Sequence, residues 1–259
     1  MDLSVGSVIK CSWQSLKNKW LIVLISFAVA FCAFSLTAMV AEMAQYVASL
    51  SYMYITDEKS VEALNSSLYT LFTVLSYASS LFINMPLFLG FERIVWTVVN
   101  GDTPSVSDTF WCYSLHRLIK AVGLKVTIGL RLSLWASVFF IPARLAEYYL
   151  PLITANWVAA YVKYLIIGIG VCFVLAKLIS YSAADFIFFE NETMKTSKII
   201  SSSAALLGIR SGNLGETILL MICLVPILLS CAVVLPLVVA VPFYTACVAT
   251  FVSRTMGTA

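Results

Sequence analysis

From Thr217 to Ser253 the chain runs 37 residues without one formally charged side chain, bounded by Glu216 and Arg254. A single helix of that length would extend about 55 Å, nearly twice the ~30 Å hydrocarbon core of a bilayer. Pro226, Pro236 and Pro242 fall inside it. Each removes an amide donor and crowds the preceding turn, which argues against one straight rod. The run therefore reads as two crossings, 217–235 and 239–255, with a turn near Pro236. No soluble core of this size hides such a stretch, so a bilayer is the expected surroundings.

Composition agrees. Hydrophobic residues make up 61% and charged residues 11%, with a mean hydropathy of +0.96; a soluble chain carries roughly a quarter charged residues to wet its surface. The net charge of +3 is too small to imply nucleic-acid binding. Seven cysteines show no C-x-x-C pairing, and most fall in apolar stretches, where a thiol behaves as a small hydrophobe. Neither a disulfide framework nor a metal cage is expected, and no cofactor. One membrane domain, residues 1–259, is the natural organisation.

Four further spans precede the uncharged run, at about 21–41, 68–91, 122–143 and 157–180, making six in an all-α, polytopic transmembrane bundle. The first reads as an uncleaved helix rather than a signal peptide, because its apolar core is too long. Pro86 and Gly90 lie near the end of the second, where a kink costs least. Gly168 and Gly170 in the fourth permit close helix approach.

Three amphipathic segments punctuate these spans and read as short interfacial helices on the cytoplasmic face. Ile9, Trp13, Leu16 and Trp20 recur on one helical face, with Lys10 and Lys17 off it. Trp111, Leu115, Leu118 and Val122 form a second stripe, and Ile200, Ala204 and Leu207 a third within 191–208. Asn100, Gly101 and Pro104 mark turns, and Ser105 three residues ahead of Asp108 is a helix-start signal. Asn213 with Glu216 reads as a second such signal, opening the fifth span.

Orientation follows from the basic residues. Twelve of the 16 Lys and Arg fall on one side, two (Lys59 and Arg144) on the other, and Arg131 and Lys163 inside spans. The positive-inside rule then puts both termini in the cytoplasm of a cell whose cytoplasmic membrane holds the protein.

Catalytic groups are scarce. The single histidine, His116, sits at the expected interface; no H-E-x-x-H, no phosphate-binding loop and no intramembrane acidic cluster occurs. The intramembrane polar candidates are Arg131, Lys163 and Asp185. Arg131 lies nine residues past Val122, about 13 Å along the third span and close to mid-bilayer, where a central arginine costs about 2.5 to 3.5 kcal/mol. Either it snorkels past Lys125 toward the headgroups, or it turns inward to hold an anionic solute or a lipid phosphate. Asp185 is the carboxylate nearest to a proton-coupling position, or more simply an interfacial acid beside Lys177 or Lys195.

In the stretch PLFLGFERIVWTVVNGDTPSVSDTFWCYS, Pro86, Leu87, Gly90, Gly101 and Phe110 form a recognisable pattern. Trp135, Pro142, Tyr181, Asp185 and the serine-rich 197–203 extend it. The chain thereby resembles a family of six-helix integral membrane proteins of Gram-positive bacteria whose function is unknown. That family is itself distantly similar to the membrane domain attached to some glycerophosphodiester phosphodiesterases. The resemblance implies a non-catalytic portion, so no phosphodiesterase residues carry over; Ala143 replaces the glycine that usually follows the proline at 142. The expectation is a non-enzymatic accessory or scaffold protein whose partners are the bilayer and a membrane or cytoplasmic protein. A small-solute transporter, or the membrane subunit of one, is the alternative.

Overall fold

The computed structural model describes residues 5–54, 58–150, 156–207 and 234–257. Every regular element among them is helical and none is a strand. Five helical stretches are long and apolar enough to cross a membrane: Trp20–Val40, Thr70–Val99, Leu115–Tyr149, Trp157–Glu190 and Val238–Gly257. The crossing expected at 217–235, with its start signal at Asn213, lies outside the described residues. The chain divides into two compact units, one of Ser15–Val122 and one of Met1–Gln14 with Gly123–Ala259.

In the unit of Ser15–Val122, helix α2 (Trp20–Tyr54) is followed by α3 (Glu58–Ser79), a π-helical turn (Ser80–Asn84) and α4 (Met85–Val99). Pro86 explains the π turn. A proline cannot donate to the carbonyl four residues back and its ring crowds that carbonyl, so the widened turn just before it lets the helix continue. The helix therefore does not stop near Phe91 but runs on to Val99, carrying Glu92 and Arg93 with it. Asn100 and Gly101 then reverse the chain, and Gly101 adopts φ +91°, a conformation glycine enters without strain. Lys19 locks this turn by donating to the carbonyls of Gly101 and Asp102.

A 3-10 helix (Val106–Tyr113) comes next, started by the Ser105–Asp108 box. The Ser107 amide donates to Ser105 Oγ at 3.3 Å and the Ser105 amide to Asp108 Oδ2 at 2.8 Å. It packs onto α4 at Gly90, where a Cβ would come 2.5 Å from the carbonyl carbon of Thr109 and 2.8 Å from its Cα. Only a glycine fits there. Thr109 Oγ1 donates to Ser26 Oγ on α2 at 2.9 Å, and Phe27 meets Phe91 at 5.3 Å between ring centroids. The buried side chains of this unit, among them Val23, Phe27, Leu89, Ile94 and Val95, gather around this junction, while Phe34, Met39, Leu71, Val74 and Tyr77 are exposed.

The other unit contains most of α1 (Val5–Leu16) and of α5 (Leu115–Tyr149), with α6 (Asn156–Tyr181), α7 (Ala184–Glu190), α8 (Thr196–Leu207) and α9 (Val234–Gly257). Helices α5 and α6 run antiparallel. Trp135 and Phe139 both stack on Phe173, at 5.0 and 5.4 Å, and a Cβ on Gly170 would lie 2.6 Å from Phe139 Cβ. The close approach expected of Gly170 is present, whereas Gly168 has open space around it. Helix α8 returns to α6, with Ser203 Oγ donating to the Ser180 carbonyl at 2.8 Å. Helix α1 lies along α9: Ser12 Oγ donates to Thr250 Oγ1 at 2.8 Å, Arg254 to Ser7 Oγ at 2.9 Å, and Trp13 meets Phe243 edge-on. Here too burial is one-sided. Ile179, Phe188, Ile199, Ile200 and Phe251 are buried, while Leu130, Leu134, Val138, Leu165 and Ile169 are exposed.

Two of the three amphipathic segments differ from expectation. In the first, the chain turns at Lys17–Lys19, so Trp20 belongs to α2, and Leu16, Val8 and Ser12 are buried while Ile9 and Trp13 stay exposed, Trp13 with one side against Phe243. The hydroxyl of Ser12 finds Thr250, and that partner outweighs the hydrophobic stripe in choosing the inner face. In the second, Ser114 is extended (ψ 134°), which separates Trp111 in the 3-10 helix from Leu115 at the start of α5. Residues 115–122 are simply the first turns of a 35-residue helix. The third segment is helical as expected, with Ile200 and Leu207 buried.

Candidate functional site

The polar candidates sit on three successive helices, Arg131 on α5, Lys163 on α6 and Asp185 on α7. Asp185, in the first turn of α7, is buried and receives Lys125 Nζ on Oδ2 at 2.7 Å. Its partner comes from α5, not from Lys177 or Lys195. Its Oδ1 is also buried and has no hydrogen-bond partner among the described residues. Lys163, near the start of α6, donates to Glu147 Oε1 at 2.6 Å, and Arg144 donates to Glu147 Oε2 at 3.0 Å. Arg131 makes neither an ion pair nor a hydrogen bond with any described residue. The three expected site residues are thus not brought together. Asp185 and Lys163 belong to two ion pairs anchored on α5 at positions 125 and 147, about 33 Å apart along the helix, and Arg131 lies between them.

Lys177 takes a different partner from the expected one. Its ammonium lies 5.1 Å from the Trp135 ring centroid and 5.5 Å from that of Phe173, a cation over two aromatic faces. Nothing in the local sequence around Lys177 signals this. The i, i+4 spacing of Arg131 and Trp135, and of Phe173 and Lys177, is the only clue.

The other unit holds two polar features that sequence patterns did not single out. Trp111 is buried, with the guanidinium carbons of Arg93 and Arg117 at 4.0 and 4.8 Å from its ring centroid. Asn84, the last residue of the π turn, is buried and donates through Nδ2 to Thr37 Oγ1 at 2.8 Å. Its Oδ1 has no hydrogen-bond partner among the described residues. Tyr113 donates to the Ile83 carbonyl at 3.0 Å, and partial burial, aided by Cys112, raises its phenol above the usual pKa of 10.0.

His116 is exposed in the first turn of α5. Among the described residues no group of three or more His, Cys, Asp or Glu side chains could hold a metal ion, and Cys11, Cys32, Cys112, Cys172 and Cys247 are not in disulfides. Chemically, then, these sites offer cations over aromatic rings, paired charges and helix-to-helix hydrogen bonds. Comparison with protein-family models, curated proteins and solved structures returns no match to this chain.

Proposed function

We propose that this chain is a non-enzymatic accessory or scaffold protein of the cytoplasmic membrane, crossing it six times with both termini on the cytoplasmic side. The observation that carries the reading is the α5–α6 pair. The acidic groups in and beside it are spent on ion pairs that tie helices together, Glu147 of α5 with Lys163 of α6 and Asp185 of α7 with Lys125 of α5. Its outward surface is apolar, with Leu130, Leu134, Val138, Leu165 and Ile169 exposed. Such a surface suits lipid and a helical membrane partner better than a soluble substrate. The likeness to six-helix membrane proteins of Gram-positive bacteria, and to the membrane domain of glycerophosphodiester phosphodiesterases, fits a non-catalytic role of the same kind. Photo-crosslinking from Leu134, Val138 and Leu165 in intact cells tests it. A discrete protein adduct from one helix face is expected, and adducts to lipid alone from all three positions would remove the partner from the proposal.

One observation favours small-solute transport as a second reading. The π turn ending in Asn84 interrupts a long apolar helix beside a buried, half-satisfied amide, and interrupted helices are where carriers bind their solutes. A solute that raises the unfolding temperature of the wild type but not of Asn84→Ala would favour transport. No such solute in a broad polar panel would retire it.

A further inference from the structure

Arg131, Trp135 and Phe139 recur every fourth residue on α5 and so lie along one stripe. Trp135 and Phe139 both touch Phe173 on α6, which turns that stripe toward α6. On α6, Phe173 and Lys177 are likewise one turn apart, and the Lys177 ammonium reaches back over Trp135. The antiparallel register is pinned on both sides of this level, by Phe139 against Gly170 and by Lys125 against Asp185. Arg131 is therefore opposite the turn that carries Lys177. Two cations meet at one level of the helix pair, and neither is paired with a carboxylate among the described residues.

Their distance from the other end of the pair gives that level a meaning. Tyr148, Tyr149 and Trp157 are exposed where α5 ends and α6 begins, as an interfacial aromatic belt would be. Arg131 is 18 residues from Tyr149, about 27 Å, and Lys177 is 20 residues from Trp157, about 30 Å. Both spacings equal the thickness of a hydrocarbon core. With the aromatic belt at one headgroup layer, the two cations reach the other; the Arg144–Glu147–Lys163 ion pairs stay within about 9 Å of the belt, and the uncharged residues 132–143 and 164–176 fill the rest of the span. Arg131 is then no mid-bilayer charge.

We propose that Arg131 and Lys177, with Trp135 between them, clamp the headgroup phosphate of an anionic phospholipid on the cytoplasmic leaflet. The planar guanidinium supplies two parallel donors to the phosphate oxygens and the ammonium a point charge, while Trp135 shields the pair and packs on the first carbons of the lipid. This rests on the membrane reading given above and adds a ligand to it.

The test is native mass spectrometry of the full chain in detergent, titrated with phosphatidylglycerol, phosphatidylcholine or inorganic phosphate. Phosphatidylglycerol is expected to bind in preference to phosphatidylcholine. Arg131→Gln and Lys177→Gln should each weaken it about tenfold, and Arg131→Lys, which keeps the charge but not the fork, by a smaller factor. Lys10→Gln, which removes an exposed charge elsewhere, should change it less than twofold. Unchanged phosphatidylglycerol affinity in both Gln variants overturns the clamp, and so does equal weakening by Lys10→Gln. Binding of inorganic phosphate at the same concentration overturns its assignment to lipid. Alkaline carbonate extraction of the same variants separates the two layers of the argument. A wild-type chain released by carbonate defeats the membrane reading itself, whereas a retained chain without lipid selectivity defeats only the clamp.

Discussion

Gly90→Ala is the most direct probe of how the 3-10 helix is held against α4. The new methyl carbon would come 2.5 Å from the Thr109 carbonyl carbon, where ordinary contact begins at about 3.5 Å. The Thr109 carbonyl oxygen is closer still, so the Thr109 backbone must retreat by more than about 1 Å, which stretches its 2.9 Å bond to Ser26 beyond hydrogen-bonding range. Overpacking costs about 1 to 3 kcal/mol and the lost bond about 1 kcal/mol. Alanine returns about 1 kcal/mol of helix propensity, so the net loss should be about 2 kcal/mol. Cys112 is fully buried in the same 3-10 helix and reports its opening. With Cys112 kept as the sole thiol, Gly90→Ala should speed its alkylation in mild detergent roughly 30-fold. Gly123→Ala, where a Cβ meets nothing within 4 Å, should leave the rate unchanged or slow it. Equal alkylation rates for Gly90→Ala and wild type would refute the close approach on which the junction depends.

The Lys125–Asp185 pair is buried at its carboxylate and partly open at its ammonium: Lys125→Met alone, which strands the carboxylate, should destabilise by about 2 to 3 kcal/mol, and Lys125→Met with Asp185→Leu by much less, as read from thermal unfolding in detergent. Thr250→Ala removes the side-chain partner of Ser12 on α9, leaving it the carbonyls of Val8 and Ala246, and should cost about 1 kcal/mol at most, read as faster proteolytic cleavage within α1; cleavage at the wild-type rate would mean that this hydroxyl pair does not hold α1. For orientation, cysteines substituted at Ser4 and Thr258 should be shielded from impermeant thiol reagents in intact cells while one at Ser60 reacts, and the opposite pattern would invert the topology.

Local signals were readable in the sequence where the structure satisfies them locally. The Ser105–Asp108 box needs only three residues of spacing, and Gly101 needs only a reversal. Trp157 to Ser180 reads as one apolar helix because nothing interrupts its period, and α8 keeps Ile200 and Leu207 inside as its spacing requires. What sequence could not supply was the choice of partner. Lys125 meets Asp185 across 60 positions, and Lys177 turns to Trp135 on the neighbouring helix rather than to a nearby acid. That Ser12 of α1 would turn inward could not be read for the same reason, since its partner Thr250 lies 238 positions away. Gly90 was readable as a small residue near a proline, yet its cause, the Thr109 backbone, lies in a different element.

The contact between Arg254 and Ser7 joins residues 247 positions apart, which has a consequence for the order of events during synthesis. Bringing such distant segments together costs about 3 kcal/mol more chain entropy than closing a ten-residue turn. The segment Ser15–Val122 has all of its own helices in hand once residue 122 has been made, and can pack while the ribosome is still working. Helix α1 cannot. Its seat is on the second half of α9, so Ser12 and Ser7 must wait through the insertion of everything between. Until then the hydroxyls of Ser7 and Ser12 lack their partners on α9. A ribosome stalled anywhere before residue 246 would leave a chain whose inner segment is folded and whose first helix is still without its seat.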